Sequence, residues 1–162
     1  MIPLNAPLIR AAKASGLSKQ YSFDLLYLLS ISVKDFEVTR LLSGKGYVED
    51  QVAYSDYVLA TSDQDLDAWQ LSKGNPAGMA LCLGGRLKDA ACLIALQPRL
   101  GEQFVAERIR AELSYLPDQI LNEMLKTLKR FPEAMVGDTY QNVATTTKMF
   151  VEYLLQPLFV QS

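Results

Sequence analysis

Apolar residues recur along most of this chain at the three- and four-residue spacing of an amphipathic helix. The longest such stripe has polar residues on its opposite side and comprises Ile120, Leu121, Met124, Leu125, Leu128 and Phe131. Two further stripes occupy residues 105–116 and 143–158. Because this spacing places apolar side chains on one side of a helix, the pattern predicts helices rather than strands in the C-terminal half.

In the N-terminal half, the apolar residues are less confined to one side of the predicted helices. Residues 22–33 are apolar on nearly every side, so periodicity alone leaves a buried helix and a buried strand open, and the leucine-rich composition favours a helix. Further helices are expected over residues 5–15, 33–42, 48–60 and 63–73.

Helix-capping residues mark several of the expected boundaries. Ser62 precedes one helix and has Asp65 three residues later, which predicts a capping box. Asn75 and Asp138 have side chains that suit the N-cap of the two helices that follow them. Pro157 is expected to end or kink the last helix, because proline lacks the backbone N–H that a helix interior requires.

Two adjacent glycines lie inside the helix that starts after Asn75. Gly84 and Gly85 each cost about 1 kcal/mol relative to alanine in a helix interior, so either the helix breaks there or it crosses a neighbouring helix closely. Residues 83–90, followed by residues 95–98, resemble the turn and second helix of a tetratricopeptide repeat, although the interval is about one helical turn shorter than in that family. The resemblance implies a helical hairpin.

Taken together, the segments predict an all-α fold. We expect a single compact domain over residues 1–162, with about six to eight helices packed as an orthogonal or irregular bundle. A chain of 162 residues can bury one core but is short for two. Its 49% of hydrophobic and 21% of charged residues are typical of globular proteins rather than disordered ones.

The expected location is the cytoplasm. No signal peptide and no membrane-spanning stretch is recognisable. Cys82 and Cys92 fall in one predicted helix, about 15 Å apart, which is too far for a disulfide. Reduced thiols suit a soluble protein of the reducing cytoplasm.

The absence of histidine restricts the possible chemistry. Within this chain it excludes Ser-His-Asp and Cys-His catalysis, histidine-ligated zinc and histidine proton shuttles. Neither a P-loop nor a dinucleotide-binding glycine pattern is present. Asp63, Asp65 and Asp67 alternate as in an EF-hand loop, but the loop's glycine and its final glutamate are missing. We therefore expect no catalytic, cofactor-binding or metal-binding residues and predict a non-enzyme.

One segment has an unusual charge. Residues 46–72 contain six acidic residues and no lysine or arginine, so the segment carries −6 while the whole chain carries −2. Aromatic residues that anchor and charges that steer are common at protein interfaces. The candidate partner-binding residues are Tyr54, Asp56, Tyr57, Asp63, Asp65 and Trp69. In the alternative interpretation, the aromatic residues belong to the core and the acidic residues face water.

The apolar C-terminus allows two interpretations as well. Residues 154–160 include Leu154, Leu155 and Leu158. Such a tail either docks onto another protein or folds back onto its own core.

The favoured function is a non-enzymatic protein–protein interaction module: an adaptor, an assembly chaperone or a structural subunit of a larger bacterial or phage complex. A protein partner is expected, and a homo-oligomer is left open. The first alternative is a small-molecule-binding or enzymatic helical domain with a pocket at Gly84, Gly85 and Cys92. The second is a nucleic-acid-binding regulator that uses a local basic face, namely Lys126, Lys129 and Arg130. The negative net charge argues against general nucleic-acid binding.

Overall fold

The all-α fold is confirmed in the computed structural model, which describes the backbone of residues 6–160 and the side chains of residues 8–160. Within that part of the chain, no strand is present. The helices are α1 (Ala6–Ala14), α2 (Lys19–Gly44), α3 (Val48–Leu59), α4 (Asp63–Ser72), α5 (Pro76–Ala95), α6 (Gln97–Leu100), α7 (Glu102–Glu112), α8 (Asp118–Ala134), α9 (Thr139–Phe150) and α10 (Gln156–Val160). A π-helical segment, Val151–Leu155, joins α9 to α10. The short helix α6 adds to those that the sequence predicted, whereas the π-helical segment and α10 continue the predicted last helix.

The fold is built around the packing of α2 against α5. Leu25 and Leu29 of α2 are fully buried, as are Leu83 and Leu87 of α5. Gly84 lies buried between them, and a Cβ added there would be 3.1 Å from Leu25 Cδ1. A close helix crossing at this glycine was one of the two alternatives that the sequence allowed.

Two predictions about helix continuity are wrong. Residues 22–33 and 33–42 are parts of one 26-residue helix, α2, because no glycine or proline separates them. The other alternative at Gly84 and Gly85, a break, does not occur, since α5 is continuous. The resemblance to a tetratricopeptide repeat is wrong for the same reason, because it requires a turn at these glycines.

The predicted caps at three helix starts are confirmed. The side chains of Ser62 and Asp65 form a reciprocal capping box at α4. Asn75 Oδ1 accepts a hydrogen bond from the backbone N–H of Gly78 at the start of α5. Asp138 forms a second capping box, with Gln141, at α9. The predicted first helix is α1, although Asn5, its expected first residue, lies outside the described residues.

The remaining helices enclose this central pair. α3 and α4 pack against α5, α8 packs against α5 and α9, and α1 packs against α2. One hydrophobic cluster contains buried residues from α1, with Leu8, through to α10, with Leu158. The core is therefore continuous along the described chain.

The C-terminal segment folds back onto the core. Leu154 is 3% exposed and Leu155 1% exposed, so of the two interpretations of this tail the described residues favour packing within the chain. Pro157 follows the π-helical segment, where the N–H of Gln156 bonds to the carbonyl oxygen of Val151. Proline has no backbone N–H to donate to a carbonyl oxygen of the preceding turn. The wider π-helical turn accommodates that carbonyl group, so the helix continues past Pro157.

None of the helices between residues 6 and 160 combines the length and apolar character needed to cross a bilayer.

Candidate functional site

The exposed side of α3 carries a row of tyrosines. Asp50, Tyr54 and Tyr57 follow one another at spacings of four and three residues, which places them on one face of the helix, and Tyr47 is the N-cap residue that precedes it. Tyr47 is 55% exposed, Tyr54 47% and Tyr57 82%. We call these four residues the acidic-tyrosine face. Three large amphipathic rings on one helix face are the kind of surface that anchors protein partners.

The structure separates the other candidate residues into different roles. Trp69 is only 2% exposed and packs edge-on against Tyr115, so as a candidate partner-binding residue it is corrected to a core residue. Asp63 is exposed at the start of α4. Asp56 pairs with Arg108 of α7, with 3.1 Å between Oδ1 and Nε. The structure thus gives Tyr54, Tyr57 and Asp63 a surface position, whereas Trp69 belongs to the core.

A buried arginine holds the junction between α3 and α4. Arg86 of α5 is 4% exposed, and its Nη2 donates hydrogen bonds to the carbonyl oxygen of Leu59 and to the hydroxyl of Thr61. Its Nη1 lies 3.2 Å from Asp89 Oδ2 and 3.6 Å from Asp65 Oδ2. Because a buried arginine and its partners are costly to leave unpaired, this network restricts how the two helices can move on α5.

The same junction is tied to α7. The backbone N–H of Thr61 donates to Glu112 Oε2 over 2.8 Å, and its hydroxyl donates to the Glu112 carbonyl oxygen. Arg108 reaches both Asp56, at 3.1 Å, and Glu112, at 3.8 Å. The acidic-tyrosine face therefore sits on a helix that is anchored at its C-terminal end by α5 and α7.

This internal pairing changes the expected charge of residues 46–72. Arg108 and Arg86 lie next to Asp56 and Asp65, so two of the six acidic residues are compensated from other helices. The uncompensated acidic residues are Glu49, Asp50, Asp63 and Asp67, none of which forms an ion pair within residues 8–160. The surface remains negative, but less so than the sequence suggested.

The ionisable groups beneath the face have shifted pKa values. Burial raises the pKa of Asp89, although Lys88, whose Nζ is 2.7 Å from Asp89 Oδ1, opposes that shift. Burial also raises the pKa of Cys92 to about 11, which leaves this thiol protonated and unreactive at neutral pH. The pKa of Tyr54 is raised by partial burial and by the nearby carboxylate of Asp35. These groups give the site no nucleophile that is active at neutral pH.

A second exposed apolar stripe was missed by the sequence reasoning. Along the outer side of α2, Phe23 is 41% exposed, Tyr27 66%, Val38 51% and Leu41 61%. We call these four residues the α2 stripe. For Phe23 and Tyr27 the signal was present in the sequence, because residues 22–33 are apolar on nearly every side and such a helix must either be surrounded by protein or leave an apolar side uncovered.

The pocket expected near Gly84, Gly85 and Cys92 is not formed by these residues. Gly84 packs against α2 and Cys92 is 1% exposed, so neither residue faces an open space, whereas Gly85 is partly exposed. A groove of about 380 Å³ lies elsewhere, between the end of α5 and helices α7 and α8. Its lining includes Ile94, Leu125 and Arg110. A small-molecule ligand would find space in this groove rather than at the glycines.

The three basic residues suggested for nucleic-acid contact are largely engaged with neighbouring side chains. Lys126 pairs with Glu123 at 2.7 Å, and Lys129 pairs with Glu102 at 3.1 Å. Arg130 stacks over the Tyr153 ring, 4.5 Å from its centroid. The two carboxylates reduce the local field that a phosphate backbone would encounter.

Across the described side chains, no group of three or more histidine, cysteine, aspartate or glutamate residues is placed to hold a metal ion. Asp65, the central member of the alternating aspartates, is used in the capping box of α4.

No protein-family model matches the chain, and no curated protein or solved structure is significantly similar to it.

Proposed function

We propose that this chain is a non-enzymatic protein-interaction module and that it binds a protein partner through the acidic-tyrosine face. The observation that carries the proposal is the row of exposed tyrosines on α3, in a segment without lysine or arginine. Tyrosine is enriched among the few residues that carry most of the binding energy at protein interfaces, and acidic residues around it select partners that present basic side chains. An adaptor or a structural subunit of a larger assembly fits this description.

The network beneath the face supports the same proposal. Arg86, Thr61 and Glu112 connect the α3–α4 junction to two other helices. A surface that is already ordered loses less conformational entropy when a partner binds. The face is therefore suited to binding a partner with little rearrangement of the backbone.

The test compares a double tyrosine-to-alanine variant of the face with a single tyrosine-to-alanine variant elsewhere on the surface. In the first, Tyr54→Ala and Tyr57→Ala are combined; in the control, Tyr140→Ala removes a tyrosine that is 61% exposed on α9. The wild-type chain is used to purify partners from the native host, the captured protein is purified in turn, and its affinity for the wild type and for both variants is measured by calorimetry. Circular dichroism verifies that both remain folded.

We expect the double variant to weaken binding of the captured protein by about a hundredfold, since interface tyrosines commonly contribute about 1–2 kcal/mol each. The Tyr140→Ala control should bind as the wild type does. Equal affinity of the two variants for the captured partner would show that the acidic-tyrosine face is not the binding surface.

A further inference from the structure

We infer that the partner fitted by the α2–α3 surface is a second copy of this chain, in a symmetric dimer. The inference rests on the proposed function and specifies the partner that it leaves open. α2 and α3 are consecutive and pack against each other, with only a short turn between them. The α2 stripe and the acidic-tyrosine face thus belong to neighbouring helices.

The size of the uncovered surface fits a dimer interface. Seven large side chains on the two helices are between 41% and 82% exposed: Phe23, Tyr27, Val38, Leu41, Tyr47, Tyr54 and Tyr57. Since a large side chain can bury about 200 Å², together they present on the order of 800 Å² of accessible surface. A stable complex buries roughly 800 Å² on each partner. The seven side chains alone approach that area.

The charges on the two helices are complementary to each other. Lys34 lies within the α2 stripe, at a spacing of seven residues from Tyr27 and four from Val38, and Asp50 lies within the acidic-tyrosine face. Neither residue has an ion-pair partner among the side chains that the structure describes. One helix therefore offers an unpaired cation on an apolar stripe, and its neighbour offers an unpaired anion.

A two-fold axis satisfies both charges at once. If α2 of one copy lies across α3 of the other with Lys34 opposite Asp50, the two-fold axis repeats this ion pair, because an isologous interface contains every contact twice. The aromatic side chains between them are buried in the same step. A partner with a uniformly basic surface would leave Lys34 facing a like charge, so a second copy fits the combined surface better.

The test exchanges the two charges. Lys34→Glu alone and Asp50→Lys alone each place like charges against each other twice in the dimer, so each variant should dissociate with a dimer Kd raised by about tenfold or more. When the two variants are mixed, glutamate at position 34 of one meets lysine at position 50 of the other, and the remaining pair is native. Equimolar mixing should therefore restore dimerisation, as should the Lys34→Glu/Asp50→Lys double variant.

Matched charge reversals serve as controls. Asp118 occupies the first turn of α8 as Asp50 does in α3, and Lys13 is an exposed lysine on α1. Asp118→Lys and Lys13→Glu should leave the dimer Kd unchanged. Sedimentation velocity over about 1–100 μM protein measures all variants, because weak symmetric association is observable in that range.

Two outcomes would overturn the inference. A wild-type chain that stays monomeric at about 100 μM has no such dimer. A dimer that is unaffected by both single charge reversals uses another surface. Neither outcome removes the proposed function, which fails only if the Tyr54 and Tyr57 substitutions leave the affinity for the captured host partner unchanged.

Discussion

At the scale of single residues, the start of α4 shows how one side chain serves two purposes. Asp65 Oδ2 accepts hydrogen bonds from the backbone N–H and the hydroxyl of Ser62, at 2.8 and 2.7 Å. The same oxygen lies 3.6 Å from Arg86 Nη1. Asp65 therefore both caps α4 and attaches it to the buried arginine, so an acidic residue that the sequence suggested for partner binding is part of the internal framework.

The pH dependence of one substitution tests this role. Partial burial tends to raise the pKa of Asp65, but the hydrogen bonds from Ser62 and the charge of Arg86 outweigh burial and lower it. A carboxyl group with a lowered folded-state pKa stabilises the fold above its unfolded-state pKa of about 3.9 and loses that contribution as the pH falls through the folded-state value. Asp65→Ala should cost about 1 kcal/mol of unfolding free energy at neutral pH.

The difference between the wild type and Asp65→Ala should shrink as the pH falls below about 4. Urea denaturation at several pH values measures it. The raised pKa of Asp89 has the opposite effect on stability, but both proteins contain Asp89, so its contribution cancels to first order. Asp67→Ala, an exposed position on the same helix, is the control. A difference that does not change with pH would contradict the role assigned to Asp65.

At the scale of helices, the crossing of α2 and α5 explains one glycine of an adjacent pair. A Cβ on Gly84 would lie 3.1 Å from Leu25 Cδ1 and 3.4 Å from Leu28 Cδ1, whereas a Cβ on Gly85 would meet nothing within 4 Å. Relative to alanine, each glycine lowers the stability of a helix by about the same amount. The close approach of α2 therefore accounts for Gly84, and packing does not account for Gly85.

Alanine substitutions at the two glycines should differ in effect. Gly85→Ala should raise the unfolding free energy by about 1 kcal/mol, because alanine loses less backbone entropy in a helix. Gly84→Ala has the same gain in helix propensity, but the added Cβ would lie too close to Leu25 and Leu28. The net increase in unfolding free energy should therefore be smaller, or the substitution should be destabilising. Urea denaturation of both variants measures the difference. Equal stabilisation by the two substitutions would mean that the crossing is not tightly packed.

At the scale of the whole molecule, the arrangement of the core bears on domain organisation. The hydrophobic cluster joins residues from α1 to α10, and α5 contacts α2, α3, α4 and α8. A core shared in this way is expected to unfold as one unit. The prediction of a single domain over residues 1–162 is therefore open to a direct test.

Thermal or urea unfolding should show one transition by two different probes. Far-UV circular dichroism reports on all helices, whereas fluorescence reports on Trp69, the single tryptophan, which is buried in α4. The two curves should coincide, because α4 is attached to α5 and cannot detach without exposing the core. The measurement is repeated at two protein concentrations, because dimerisation would make the apparent stability depend on concentration. Separate transitions would indicate that residues 46–72 form an independent unit.

Much of the fold was predictable from local signals. Ser62, Asn75 and Asp138 act within a few residues of their own helix starts, so their capping roles can be read from the sequence. The stripe over residues 120–131 became α8 for the same reason, since helical periodicity is a local property. A close helix crossing at Gly84 is also one of the alternatives that the sequence predicts, but the sequence does not identify α2 as the crossing helix.

Local sequence signals are sufficient to predict that the chain is helical and where most helices begin, because propensity, periodicity and caps act over a few residues. Which apolar side chains are covered follows from the packing of the helices, because burial depends on neighbours that are distant in sequence. Trp69 and Tyr57 belong to the same acidic segment, yet Trp69 packs against Tyr115 while Tyr57 remains 82% exposed. Likewise, α2 is apolar on both sides, but α5 covers only one of them.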